Sequence, residues 1–338
     1  MVDSPQHPRR RALYLSILQA TVSVVLVAIA LATFQWEALA QAIGRLSLAA
    51  CGIASILGLL SAVLTGARWY ALAHRVVPGT LYWHLDHYFR ATLLNAVTPA
   101  NIGGDVYRLV LLGRQPAGTI PVALLLLRER YVGLMSFCAM YLLAFAAITA
   151  LDLELLEGNA PILVPFAVFA AIAVAAMAVA PWIFRWLSRL TGGRIARYLA
   201  TTAKLMLEVA SFRSVAHFCL LLGLSLLSLL MWVFAILVVS DAVGIALWLP
   251  VAAAVAVAVE LARWVPISIQ GIGVRESLYA WLLASLAGVP AEAGFVIGAT
   301  VYIILSATTV ILGGIFAALA GIRAFLSPAE SGSRKTGA

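Results

Sequence analysis

Two short stretches carry residue types that could hold an anion. Residues 98–108 read TPANIGGDVYR, and residues 265–276 read VPISIQGIGVRE. In each, a proline and two glycines lead into an arginine beside a carboxylate. The first has Pro99, Gly103, Gly104, Asp105 and Arg108; the second has Pro266, Gly271, Gly273, Arg275 and Glu276. Proline cannot donate a hydrogen bond and glycine permits unusual backbone and close approach, so a helix is expected to break and restart at each. A restarting helix presents free N–H groups and the positive end of its dipole. A guanidinium nearby grips a phosphate with two parallel bonds. Arg108 and Arg275 are therefore the expected phosphate contacts, within cradles formed by Gly103, Gly104, Gly271 and Gly273.

Other polar residues surround these stretches. Asp105 and Glu276 are expected to orient the arginines. Asn95, Glu129, Arg130, Glu260 and Arg263 form a supporting set that either pairs internally or lines a polar path, with the carboxylates as candidate proton carriers. Arg90 belongs to the same depth or snorkels to an interface. His84, Asp86 and His87 have no further ligand at metal-binding spacing and read as an interfacial band with Tyr82 and Trp83. No metal, cofactor or catalytic nucleophile is expected. There is no P-loop, and the Gly271-x-Gly273 pair is no dinucleotide fingerprint.

The surrounding chain dictates how these residues must be positioned. Of 338 residues, 64% are hydrophobic and 11% are charged, against about 25% charged in soluble domains. The mean hydropathy is +1.04. Several runs reach the roughly 20 apolar residues needed to cross a bilayer core. The expectation is an all-α polytopic membrane protein. The net charge of +8 sits in connections between apolar runs, which is a signature of membrane topology and not of nucleic-acid binding. The three cysteines, each inside an apolar run, read as small buried side chains.

Candidate segments cover 12–34, 46–66, 81–97, 106–127, 131–151, 161–186, 214–240, 246–264, 274–287 and 291–323. The first is too long for a cleaved signal core and reads as an uncleaved spanning helix. Lys and Arg gather in 1–11, 67–80, 185–213 and the C-terminal tail, whereas 35–45, 152–160, 241–245 and 288–292 are poor in cations. The first group is placed in the cytoplasm, so both termini are cytoplasmic. Arg128-Glu129-Arg130 is expected to break the chain before 131–151. Segments 81–97 and 106–127 then form one re-entrant hairpin and 246–287 another, entered from the opposite face. Three true crossings at each place is the rival topology.

The expected layout is a cytoplasmic tail (1–11), a first membrane repeat (12–151), an external loop (152–160), a second repeat (161–325) and a cytoplasmic tail (326–338). It comprises about six full crossings plus two re-entrant broken-helix hairpins, arranged as two inverted repeats, a plan found in secondary transporters. Within the connector 187–213, apolar and basic residues alternate at helical spacing. It is either a helix on the anionic inner leaflet or a solvated link.

Three motifs carry a family resemblance: Asn95-x-x-x-Pro99-x-x-x-Gly103-Gly104-Asp105-x-x-Arg108, Glu129-Arg130-x-x-Gly133-Leu134, and Pro266-x-Ser268-x-x-Gly271-x-Gly273-x-Arg275-Glu276. Over residues 10–325 the chain resembles the flippase-like membrane domain of lysylphosphatidylglycerol synthases, the multiple peptide resistance factor, and its stand-alone relatives. The resemblance implies transbilayer movement of an anionic phospholipid or a polyprenyl-phosphate-linked lipid. No soluble catalytic domain follows the membrane part, so the expectation is a lipid transporter in the cell membrane and not a synthase. The alternatives are an integral-membrane lipid-modifying enzyme or a non-catalytic partner of one.

Overall fold

Side-chain caps start the helices where the apolar runs begin. Ser47, Thr80, Asp152 and Ser214 each accept a bond from the backbone N–H three residues on, satisfying a donor that the helix itself leaves open. The structure, a computed structural model, describes residues 35–98, 102–262 and 271–326. The expected first spanning segment 12–34, the tails, Pro99, Arg263, Pro266 and Ser268 lie outside the described residues.

The first half begins with α1 (Trp36–Gly44), α2 (Leu48–Ala73), α3 (Leu81–Val97), α4 (Gly103–Leu112) and α5 (Thr119–Leu151). There follow α6 (Leu153–Leu190), α7 (Gly193–Ala210), α8 (Val215–Ala242), α9 (Leu249–Ala262), α10 (Val274–Ala287) and α11 (Ala291–Leu326). Among the described residues every regular element is helical, and five helices are long and apolar enough to cross a membrane: α2, α5, α6, α8 and most of α11. Their outward faces carry large apolar side chains such as Leu60, Leu143, Phe169, Ile172 and Ile311. In water such a surface would be a liability; against lipid it is the expected solvent-facing surface. The protein is a polytopic membrane protein.

The intervening helices are shorter. The 17 residues of α3 reach about 25 Å at 1.5 Å per residue, and α4 has only 10. Helices α9 and α10 have 14 residues each. A bilayer core is about 30 Å thick.

Helix α2 runs antiparallel to α8. His217 meets the Ala71 carbonyl, Arg68 meets Ser225, and Ser61 and Thr65 both meet Ser228. Helix α3 packs on α11, and α9 packs on α5. Gly313 allows the first of these contacts, since a Cβ there would lie 2.7 Å from the Phe89 carbonyl oxygen. Helix α9 is buried on every side from Val251 to Glu260, as its run of small Ala and Val residues permits.

Three expectations are corrected. The 106–127 limb and the break at 128–130 give way to a short α4 and a continuous 33-residue α5. The charged triplet needs no break, because Glu129 and Arg130 form ion pairs with other helices and Arg128 donates to the Glu208 carbonyl. Residues 152–160 are helical, not a loop, with one non-helical residue at Asn159 ahead of Pro161. Arg68, counted with the 67–80 loop, lies within α2.

Candidate functional site

The charged residues of the first motif converge. Helix α4 carries Asp105 and Arg108 on one face, three residues apart. Arg108 donates to Asp105 Oδ1 at 2.7 Å and to Glu129 Oε2 of α5 at 2.7 Å. Arg130, one residue further along α5, binds the other Asp105 oxygen at 2.6 Å. Arg68 reaches Glu129 Oε1 at 3.5 Å while donating to Ser225 Oγ at 2.9 Å. The Arg108 guanidinium also lies 4.4 Å from the Trp69 ring centroid and 5.5 Å from that of Tyr88, within cation–π range. Arg108 is only 5% exposed, whereas the Arg130 side chain is 47% exposed. Asp105 thus pairs with both arginines.

The second motif is built more loosely. Arg275 approaches Glu260 of α9 at 3.6 Å and stacks over Tyr302 of α11 at 4.0 Å. Among the described residues its Nε has no hydrogen-bond partner, as is also true of Arg108 Nε. The expected role of Glu276 as orienter of Arg275 is corrected: its carboxylate accepts the Gly273 N–H at 2.7 Å, so it caps α10.

Two of the expected free N–H groups, those of Gly103 and Gly104, are occupied. Gly104 N–H donates to Asn95 Oδ1 at 2.7 Å, and Gly103 N–H donates to Thr98 Oγ1 at 3.0 Å. In a region without water a chain must satisfy its own donors, and α3 does so for α4. A Cβ at Gly104 would sit 2.2 Å from the Ala91 carbonyl oxygen, so this glycine lets the two limbs touch. Gly271 and Gly273, at φ 79° and 82°, supply the turn into α10.

Two adjoining cavities bring the motifs together. One, of about 470 Å³, is lined by Arg130 and Arg275 together with Ser61, Thr65, Thr92, Asn95, Trp232, Tyr302, Ser306 and Thr309. The other, of about 320 Å³, is lined by Arg68, Asp105, Arg108, Glu129 and Glu260. Seven residues, among them Arg130, Asn95 and Trp232, line both. The four motif glycines line neither. Asp105, Glu129 and Glu260 are thus the carboxylates at the cavities, and Glu276 stands apart.

Sequence reading missed Arg68, Trp69, Trp232, Tyr302 and the hydroxyl residues. A usable signal existed for some: Ser61, Thr65 and Arg68 recur at helical spacing within an apolar run, as do Ser225 and Ser228. Elsewhere, Arg90 pairs with Asp86 on its own helix. His84 and His87 are buried and bind the Val77 and Trp83 carbonyls at 3.0 and 2.8 Å.

Fold and site define a polytopic helical membrane protein with two arginine centres facing one internal polar space. The chain belongs to the family described as the lysylphosphatidylglycerol synthase TM region, which it matches over residues 16–323. No curated protein and no solved structure matches it.

Proposed function

We propose that the protein moves a lipid with an anionic headgroup between leaflets, the headgroup passing through the paired cavities while the acyl chains stay in the bilayer. The observation that carries this reading is the larger cavity, which Arg130 and Arg275 of the two motifs line together. In the first cluster three arginines, Arg68, Arg108 and Arg130, face two carboxylates, Asp105 and Glu129. Among the described residues of this cluster the cations exceed the carboxylates by one, a balance that favours an anion at membrane depth. A phosphodiester carries one negative charge and suits the planar donors of arginine. The hydroxyl and amide groups of Ser61, Thr65, Thr92 and Asn95 supply hydrogen bonds to the rest of the headgroup.

The same reading assigns α3–α4 and α9–α10 as re-entrant hairpins of two inverted repeats, 12–151 and 161–325. Their limbs are short against a bilayer core. Contacts between connections support opposite entry. Gln35 N–H donates to Glu292, and Arg45 donates to the Val243 carbonyl, which groups the cation-poor connections. The Ala71–His217 contact groups two of the cation-rich ones. Each hairpin packs on the long helix that follows the other, an exchange suited to inverted repeats. With the cation-rich face in the cytoplasm, rocking of one repeat on the other about the α2–α8 contact opens the cavity alternately to each leaflet.

Purified protein in liposomes, with fluorescent lipids of different headgroup and outer-leaflet quenching, tests this. Protein-dependent loss of inner-leaflet protection is expected for phosphatidylglycerol and not for phosphatidylcholine. Equal loss for both, or for neither, would contradict a charge-selective path.

A further inference from the structure

The connector helix α7 (Gly193–Ala210) has a surface that the translocation path does not use. It packs against α6 and α5 with Ala203 buried. Arg128 of α5 fixes its end, donating from Nε and Nη2 to the Glu208 carbonyl at 3.2 and 2.9 Å. The remaining circumference has two adjacent strips. One is cationic, with Arg194, Arg197 and Lys204, offset by Glu208 alone at 3.9 Å from Lys204. The other is apolar, with Ile195 63% exposed, Tyr198 71% and Leu205 43%.

A solvated link has no use for that apolar strip. A neutral surface has no use for the cations. The preceding turns of α6 repeat the pairing, with exposed Trp182 and Trp186 beside Arg185 and Arg189. Tryptophan with Lys or Arg is the composition of a membrane–water boundary. We propose that the exposed face of α7 docks onto anionic phospholipid in the bilayer surface, apolar strip inserted and cations against headgroup phosphates. Arg128 ties this docked helix to the α5 residues neighbouring Glu129 and Arg130. The inference is independent of what the cavities carry.

The test is spin-label depth on the full chain in lipid nanodiscs, after replacing Cys51, Cys138 and Cys219 with serine. Labels are placed at Tyr198→Cys and, on the cationic side, at Ala200→Cys. In discs containing phosphatidylglycerol the first label is expected to collide with oxygen and to be shielded from a water-soluble nickel complex, with the second remaining in water. Each basic residue near an anionic surface strengthens attachment roughly fivefold. The triple variant R194Q/R197Q/K204Q should therefore weaken surface partition on the order of a hundredfold, as should discs of phosphatidylcholine alone. Raising the salt releases the label with every basic residue of the surface intact, since screening shortens to about 3 Å at 1 M, so the outcome does not rest on the triple variant folding. A Tyr198→Cys label that stays in water with phosphatidylglycerol, or that is equally immersed without it and at high salt, overturns the proposal.

Discussion

Arg108 and Arg275 begin from similar sequence, a charged residue pair just inside a glycine-led helix, and end in different surroundings. Arg108 is held by two carboxylates at 2.7 Å each and by two aromatic rings. Among the described residues Arg275 has one carboxylate at 3.6 Å and one ring, while the Nε of each of the two arginines has no hydrogen-bond partner. A guanidinium with its donors engaged in salt bridges has little left for a ligand. On the proposed translocation reading, this difference gives Arg108 the task of holding α4 on α5 and leaves headgroup contact to Arg275 and the more exposed Arg130. Two motifs alike in sequence thus differ in how tightly their arginines are held.

The comparison breaks if Arg108 proves dispensable for stability. Arg108→Met should lower stability by about 3–5 kcal/mol, because it leaves the buried Glu129 with only the longer Arg68 contact at 3.5 Å, and thermal unfolding in detergent measures it. Asp105→Asn should cost about 1.5–3 kcal/mol through lost charged hydrogen bonds, and thermal unfolding in detergent measures it. Gly104→Ala forces a Cβ against the Ala91 carbonyl and should cost about 1–3 kcal/mol by overpacking. Gly314→Ala, where a Cβ would meet nothing within 4 Å, should stay within about 0.5 kcal/mol of the parent; paired melting curves read both. Arg275→Lys keeps a cation beside Glu260 and should change the unfolding midpoint least. It nevertheless loses the planar grip, and translocation of anionic lipid should slow roughly tenfold, equivalent to about 1.4 kcal/mol.

Much of the architecture was legible because hydropathy and charge act locally. The long runs and the short limb at 81–97 could be read from spacing. The charged triplet at 128–130 misled, because its ion-pair partners Arg108 and Asp105 and its hydrogen-bond acceptor, the Glu208 carbonyl, come from α4 and α7, and sequence order does not show them. The capping of Gly103 and Gly104 by Thr98 and Asn95 was hidden for a similar reason: it depends on two limbs folding back on each other. Arg68 looked like a loop cation because it stands near the end of an apolar run, and only the α2–α8 crossing turns it toward Glu129. The site's titratable residues were thus found by type, while their division between holding and reading depended on packing.

The most direct test of the central claim is the initial rate of anionic lipid translocation by Arg275→Gln in liposomes, per molecule of folded protein, beside the parent. The expected result is loss of phosphatidylglycerol movement with the melting transition retained. A parental rate in a folded variant would contradict the assignment of Arg275 as the residue that reads the headgroup.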